Sequence, residues 1–154
     1  MSVEVVTYHE RHAGAFAALN YEWIEQYFEV EDEDRKALEH PENYAIEPGG
    51  EIFFVLEDGE AVGTVAMVPH GTGFELAKMA VRPDRQGRGY SKLLMDACIE
   101  FARARGAREI MLVTNDVLAP ALGLYQRAGF RPVAQYTDQR YARGNLQMAL
   151  ALAD

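Results

Sequence analysis

The sequence predicts an α+β (mixed α/β) domain in which a mixed sheet carries helices on both faces. Two kinds of run alternate along the 154 residues. Apolar positions at three- and four-residue spacing mark helix faces, and β-rich runs bounded by glycine, proline and aspartate mark strands. Their order, β α α β β β α β α β β, closes most simply as helices layered against one sheet. No internal repeat, low-complexity segment or long linker divides the chain, so residues 1–154 are expected to form a single domain.

Residues 3–8 are β-rich and weakly alternating, which predicts a first strand. Phe16, Leu19, Trp23, Ile24, Tyr27 and Phe28 then share one face of a helix over residues 12–28. An acidic connection follows, and Asp32 is placed to cap a short helix over residues 33–40. Pro48-Gly49-Gly50 is a turn. Residues 52–57, 61–68 and 74–81 are three successive strands, the first two joined at Asp58-Gly59, a hairpin signal. Tyr90, Leu93, Leu94, Ala97, Cys98, Phe101 and Ala102 mark a helix that ends at Gly106. Glu109–Thr114 is short and apolar, as in the middle of a sheet. Pro120 suits the first turn of a helix that stops at Gly129. Residues 130–135 and 146–152 are the last strands.

Composition narrows the function. Hydrophobic residues make up 49% and charged residues 25%, the balance of a folded soluble protein. The formal net charge is −9, and it is unevenly placed. Residues 1–60 hold 16 acids and 3 bases, whereas residues 61–154 hold 8 acids and 12 bases. So acidic a chain is not expected to bind nucleic acid or an anionic membrane nonspecifically. A lone Cys98 allows neither an internal disulfide nor a cysteine metal cluster. His9, Glu10 and His12 lack further ligand spacing, so no metal is expected. No apolar run approaches the roughly 18 residues of a membrane span. The N-terminal Met1-Ser2-Val3-Glu4 has no leader character, which makes a cytoplasmic location the expectation.

The most informative stretch runs from Val81 to Ser91, VRPDRQGRGYS, and joins a strand to a helix N-terminus. Glycines there let successive N–H groups converge, and the helix dipole adds partial positive charge at the same point. Arg85 and Arg88 flank it, so the stretch has the physics of a pyrophosphate cradle. Thirteen glycines in the chain predict about one G-x-G by chance, so the strand–loop–helix context and the arginines carry the weight. It is neither a Walker A loop nor a Rossmann fingerprint.

Gln86-Gly87-Arg88-Gly89-Tyr90-Ser91 resembles the Q/R-x-x-G-x-G/A loop of the GNAT superfamily of acyl-CoA-dependent N-acetyltransferases, with Ser91 in place of the last small residue. Residues 80–113 and the segment LAPALGLYQRAGF (118–130) are similar to that family's core, in order and spacing. The resemblance implies a mostly antiparallel sheet of about seven strands, splayed where acetyl-CoA inserts like an extra strand. It implies that loop amides of Gln86, Gly87, Arg88, Gly89, Tyr90 and Ser91, with Arg85 beside them, hold the cofactor's pyrophosphate. Met79, Ala80 and Val81 would pair with its pantetheine arm.

The same resemblance makes Tyr125 the acid that protonates the departing thiolate, unless it is only an amphipathic core residue. Many members carry an asparagine seven residues earlier, where this chain has Leu118. Glu75 lies eleven residues before Gln86, the separation of the catalytic glutamate in the histone-modifying branch. Strand alternation would place it on one face with Ala77, Met79 and Val81. It is the candidate general base, or else a substrate-binding or exposed strand glutamate. Cys98, on an apolar helical stripe, is not expected to be a nucleophile.

For the acceptor, the first helices and the last hairpin of this fold imply Trp23, Tyr27 and Glu31, with Arg143 and Asn145 near the final strand. Trp23 and Tyr27 form an aromatic wall or ordinary core, Glu31 attracts a cation or caps a helix, and Arg143 binds a carboxylate or lies on the surface. The expected reaction is acetyl transfer from acetyl-CoA to a small-molecule amine by direct attack, with no metal. A non-catalytic acyl-CoA-binding module, or acetylation of a protein terminus or lysine, are the alternatives. A homodimer through the exposed final strand is also open.

Overall fold

The structure, a computed structural model, describes residues 2–115, 118–135 and 146–152. Seven strands form one sheet: β1 (Val3–Thr7), β2 (Glu51–Glu57), β3 (Glu60–His70), β4 (Gly73–Val81), β5 (Glu109–Thr114), β6 (Arg131–Gln135) and β7 (Leu146–Ala151). Their spatial order is β1-β2-β3-β4-β5-β7-β6. Every neighbouring pair is antiparallel except β4 and β5. The sequence order of elements is therefore as expected, and β7 inserts between β5 and β6.

The helices α1 (Ala13–Tyr27), α2 (Asp32–Glu39), α3 (Tyr90–Ala104) and α4 (Ala119–Ala128) cover both faces. The alternation of β2 shows how. Ile52, Phe54 and Leu56 pack with Phe16, Ile24 and Leu38 from α1 and α2. Phe53 and Val55 point the other way and pack with Leu94, Met95 and Cys98 of α3. A strand buried on both faces reads as an unbroken apolar run, which is what residues 52–56 are. Asp58 and Gly59 turn the β2–β3 hairpin with φ of 50° and 85°, as a tight two-residue turn demands.

Two local expectations are corrected. Glu31, not Asp32, is the N-cap of α2; its backbone N–H donates to Asp34 Oδ2 at 2.9 Å, a reciprocal capping arrangement. The strict alternation expected of β4 fails at Lys78. Thr64 pairs with Ala80 and Ala66 with Ala77, so β4 carries one more residue than β3 at that point. Lys78 takes up the bulge with φ of 57°. Phe74 and Leu76 face α3 before the bulge, and Met79 and Val81 do so after it. Glu75 and Ala77 project to the opposite side, so Glu75 does not share a face with Met79 and Val81.

The β4–β5 contact is brief. Only Phe74↔Ile110 and Glu75↔Met111 pair, both at the start of the two strands. Gly73 stands at this junction, where a Cβ would come 1.8 Å from the backbone oxygen of Glu109. Only glycine allows that approach. Gly73→Ala should therefore lower stability by about 1–3 kcal/mol in urea unfolding, and more than an alanine placed at the open turn position Gly71.

Candidate active site

Beyond Glu75 and Met111, β4 and β5 diverge and leave a wedge in the sheet. Arg82 donates its N–H to the Val62 carbonyl of β3 at 2.9 Å. Strand alternation over the regular register of residues 80–82 then turns the N–H group of Val81 away from β3 and into the wedge. A cavity of about 110 Å³ opens there. Ala77, Lys78 and Met79 form one wall, Val113 to Asn115 the other, and Glu75 and Tyr125 both reach it.

At the far end of β4, Gly87 and Gly89 both adopt left-handed backbone, with φ of 83° and 82°. Nothing lies within 4 Å of where a Cβ would stand on either. The first helical hydrogen bond of α3 runs from Leu93 N–H to Gly89 carbonyl, 3.1 Å. The N–H groups of Tyr90, Ser91 and Lys92 precede it, and no side chain caps them. A helix start with unmet donors and open space before it is an anion site.

The loop arginines are less free than their sequence positions imply. Arg85 Nε donates to Glu57 Oε1 at 2.8 Å and its other nitrogen lies 3.0 Å from Asp84. Arg82 is shared between Asp84 and Glu60. Arg82 holds the Asp84 carboxyl down at about 2. Arg88 contacts Glu57 only at 3.4 Å, and its side chain is 44% exposed. Gln86 turns inward, its Nε2 donating to the Val81 carbonyl at 3.2 Å, which ties the loop to the end of β4. Tyr90 is buried, and its hydroxyl donates to Glu57.

The acetyltransferase (GNAT) family model matches residues 17–130. The chain belongs to the GNAT family of acetyltransferases. Human N-acetyltransferase 8B is 33% identical over 101 residues, 61% of this chain and 44% of that protein. A mycothiol acetyltransferase from Beutenbergia cavernae is 34% identical over 90 residues, 56% of this chain and 30% of that protein. The alignments thus span less than half the length of these curated relatives. Among solved structures, a GNAT-family acetyltransferase from Staphylococcus aureus superposes with a TM-score of 0.87 at 18% identity, covering 99% of this chain and 100% of that one. A GNAT phosphinothricin acetyltransferase from Sinorhizobium meliloti, in complex with acetyl-CoA, gives 0.79 at 14% identity, covering 99% and 89%. The GNAT fold is thereby established.

This GNAT site fits acetyl-CoA on its own geometry. The uncapped start of α3 suits a diphosphate, and the inward N–H group of Val81 suits an amide-bearing arm. Leu118 borders the cavity where many members have asparagine, but Asn115 borders it too. The sequence reading missed Asn115, which stands three residues before the expected position. Tyr125 packs against Phe130, ring centroids 6.0 Å apart, and burial pushes its hydroxyl up to about 12. Burial also pushes the Cys98 thiol up, which keeps it protonated in the core and without a nucleophilic role.

On the acceptor side, Trp23 lines the cavity, whereas Tyr27 is 49% exposed and stacks on Trp23 at 5.5 Å outside it. Glu31 serves as the α2 cap. Arg143 and Asn145 lie outside the described residues. The sequence did not reveal Lys78 as part of the site. Its ammonium meets Asp34 Oδ1 at 2.6 Å with side chains 6% and 0% exposed, and it forms part of the cavity wall. A buried pair broken on one side strands a charge. Asp34→Ala should lower stability by about 3–5 kcal/mol in urea unfolding, and Asp34→Ala combined with Lys78→Met should regain much of that loss.

Proposed function

We propose that this chain is an N-acetyltransferase that moves an acetyl group from acetyl-CoA to a primary amine of a small molecule, by direct attack within a ternary complex. The observation that carries this reading is the β4–β5 wedge, where Glu75 and Tyr125 line one cavity, on a strand that leads through a glycine turn to an uncapped helix start. Acetyl-CoA supplies the thioester.

The chain's own groups would divide the remaining work. The Val81 N–H faces the wedge and is placed to donate to the thioester oxygen as it gains charge. Glu75, 7% exposed, takes the proton that the attacking ammonium must lose. Tyr125 delivers a proton to the sulfur as the carbon–sulfur bond breaks. Its raised pKa keeps the phenol protonated across the neutral range, which a proton donor requires. A module that only bound acyl-CoA would have no use for a carboxylate and a phenol in one buried cavity. Acceptors in protein form would need the same chemistry, so acceptor identity is decided by assay.

Thiol release with acetyl-CoA across a panel of amines and amino acids tests the reading; no release with any member, and no heat of acetyl-CoA binding at millimolar concentration, would overturn it. Glu75→Gln should lower kcat by about 10²-fold with acetyl-CoA affinity unchanged. Tyr125→Phe should lower kcat by a comparable factor. Because burial raises Tyr125 to about 12, the wild-type rate should show no loss attributable to this phenol up to about pH 10; a Tyr125-dependent basic limb below pH 9 would overturn the raised pKa, and an unchanged kcat in Tyr125→Phe would remove the phenol from the donor role.

A further inference from the structure

We propose that Glu57 is a positioning residue for the diphosphate-binding turn, acting through Arg85, Arg88 and Tyr90; the proposal rests on acetyl-CoA being the donor. Glu57 ends β2, beside the Asp58-Gly59 hairpin, and is 8% exposed. A buried carboxylate persists only when its oxygens are met by donors. Tyr90 Oη donates to Oε2 at 2.6 Å, Arg85 Nε to Oε1 at 2.8 Å and Arg88 to Oε2 at 3.4 Å. These bonds, Tyr90 first and Arg85 next, hold the carboxyl below the usual carboxylate range.

The three donors bracket the turn. Arg85 precedes Gly87, Arg88 stands between the two glycines, and Tyr90 opens α3 immediately after Gly89. Glycine permits the left-handed backbone at both positions without selecting it. The glycines therefore leave the turn's conformation to the contacts around it: Gln86 ties its start to Val81, and the segment from Arg85 to Tyr90 needs a further fixed point. Glu57 supplies that point from a hairpin 28 to 33 residues away. Held in this way, the N–H groups at the start of α3 are set before the diphosphate arrives, and the ordering entropy is not lost on binding. The clamp also sorts the arginines. Arg85 is committed to Glu57 and Asp84, while Arg88, with the longest contact of the three, keeps much of its guanidinium in solvent beside the open turn.

The test uses two donors with the full chain. Acetyl-CoA carries the diphosphate; S-acetylpantetheine carries the same thioester without it. Glu57→Gln should raise the Kd and KM for acetyl-CoA about tenfold, about 1.4 kcal/mol, with kcat at saturation within twofold and with turnover of S-acetylpantetheine unchanged. Tyr90→Phe should give a smaller loss of about threefold, again confined to acetyl-CoA, and it carries the test if Glu57→Gln fails to fold. Equal losses with both donors in either folded variant, or an unchanged acetyl-CoA KM in both, would overturn the proposal while leaving the donor assignment intact. A wild-type chain that binds neither donor would overturn the donor assignment and this proposal together.

Discussion

The buried ion pair between Lys78 and Asp34 is the constraint on which the geometry of the site depends. Left-handed backbone at a residue with a long side chain is unfavourable by roughly 1–2 kcal/mol and persists only where the surroundings over-determine it. Here the ammonium of Lys78 is drawn 2.6 Å from a carboxylate that is itself fixed at the first turn of α2 by the Glu31 N–H. The helix dipole favours a negative charge at that position. The pair holds Lys78 at the bulge, where the side chains of β4 change sides. Glu75 faces α1 and the cavity, while Met79 and Val81 pack on the α3 side.

The strand face that carries Glu75 looks into the cavity that Tyr125 reaches from α4, so a carboxylate and a phenol share it. Acetyl transfer to an ammonium needs a proton taken from nitrogen and a proton given to sulfur. A carboxylate suits the first task and a neutral phenol the second. Tyr125 arrives from α4, outside the strand that carries Glu75, and its burial holds the phenol in the protonated form. The proposed acid and base are thus carried by different elements, α4 and β4, that line one cavity.

Much of this was legible in the sequence because it is local. The Gly87 and Gly89 backbone, the start of α3 at Tyr90 and the end of α4 at Gly129 follow from residue type at a turn or cap. Glu75 was found through its separation from Gln86 and does reach the cavity, although the face it shares was misjudged. One inserted residue in β4 leaves no mark on a strand's composition, so period-two counting passed straight through Lys78. Glu57 stayed hidden for another reason. Its meaning lies in bonds to Arg85, Arg88 and Tyr90, more than 25 residues away, which no local window contains. The available signal was weak: a single acid closing the apolar run of residues 52–56, which the structure buries on both faces.

The uneven charge of the chain takes a different form once the contacts are known. Sixteen acids lie among the first 60 residues, whereas the remainder, which contains the Val81–Ser91 loop, holds more bases than acids. The structure carries two of those acids, Glu57 and Glu60, to the cofactor loop, where they meet Arg85, Arg88 and Arg82. The basic loop is largely neutralised from within by the acidic half of the chain. Long-range attraction of a polyanion is weakened by this arrangement, since paired charges cast little field beyond a Debye length of about 8 Å. What the pairs preserve is direction: N–H donors and one half-exposed guanidinium fixed around an open turn. On the proposed reading, recognition of a diphosphate rests on preset geometry at short range more than on the net charge of the surface.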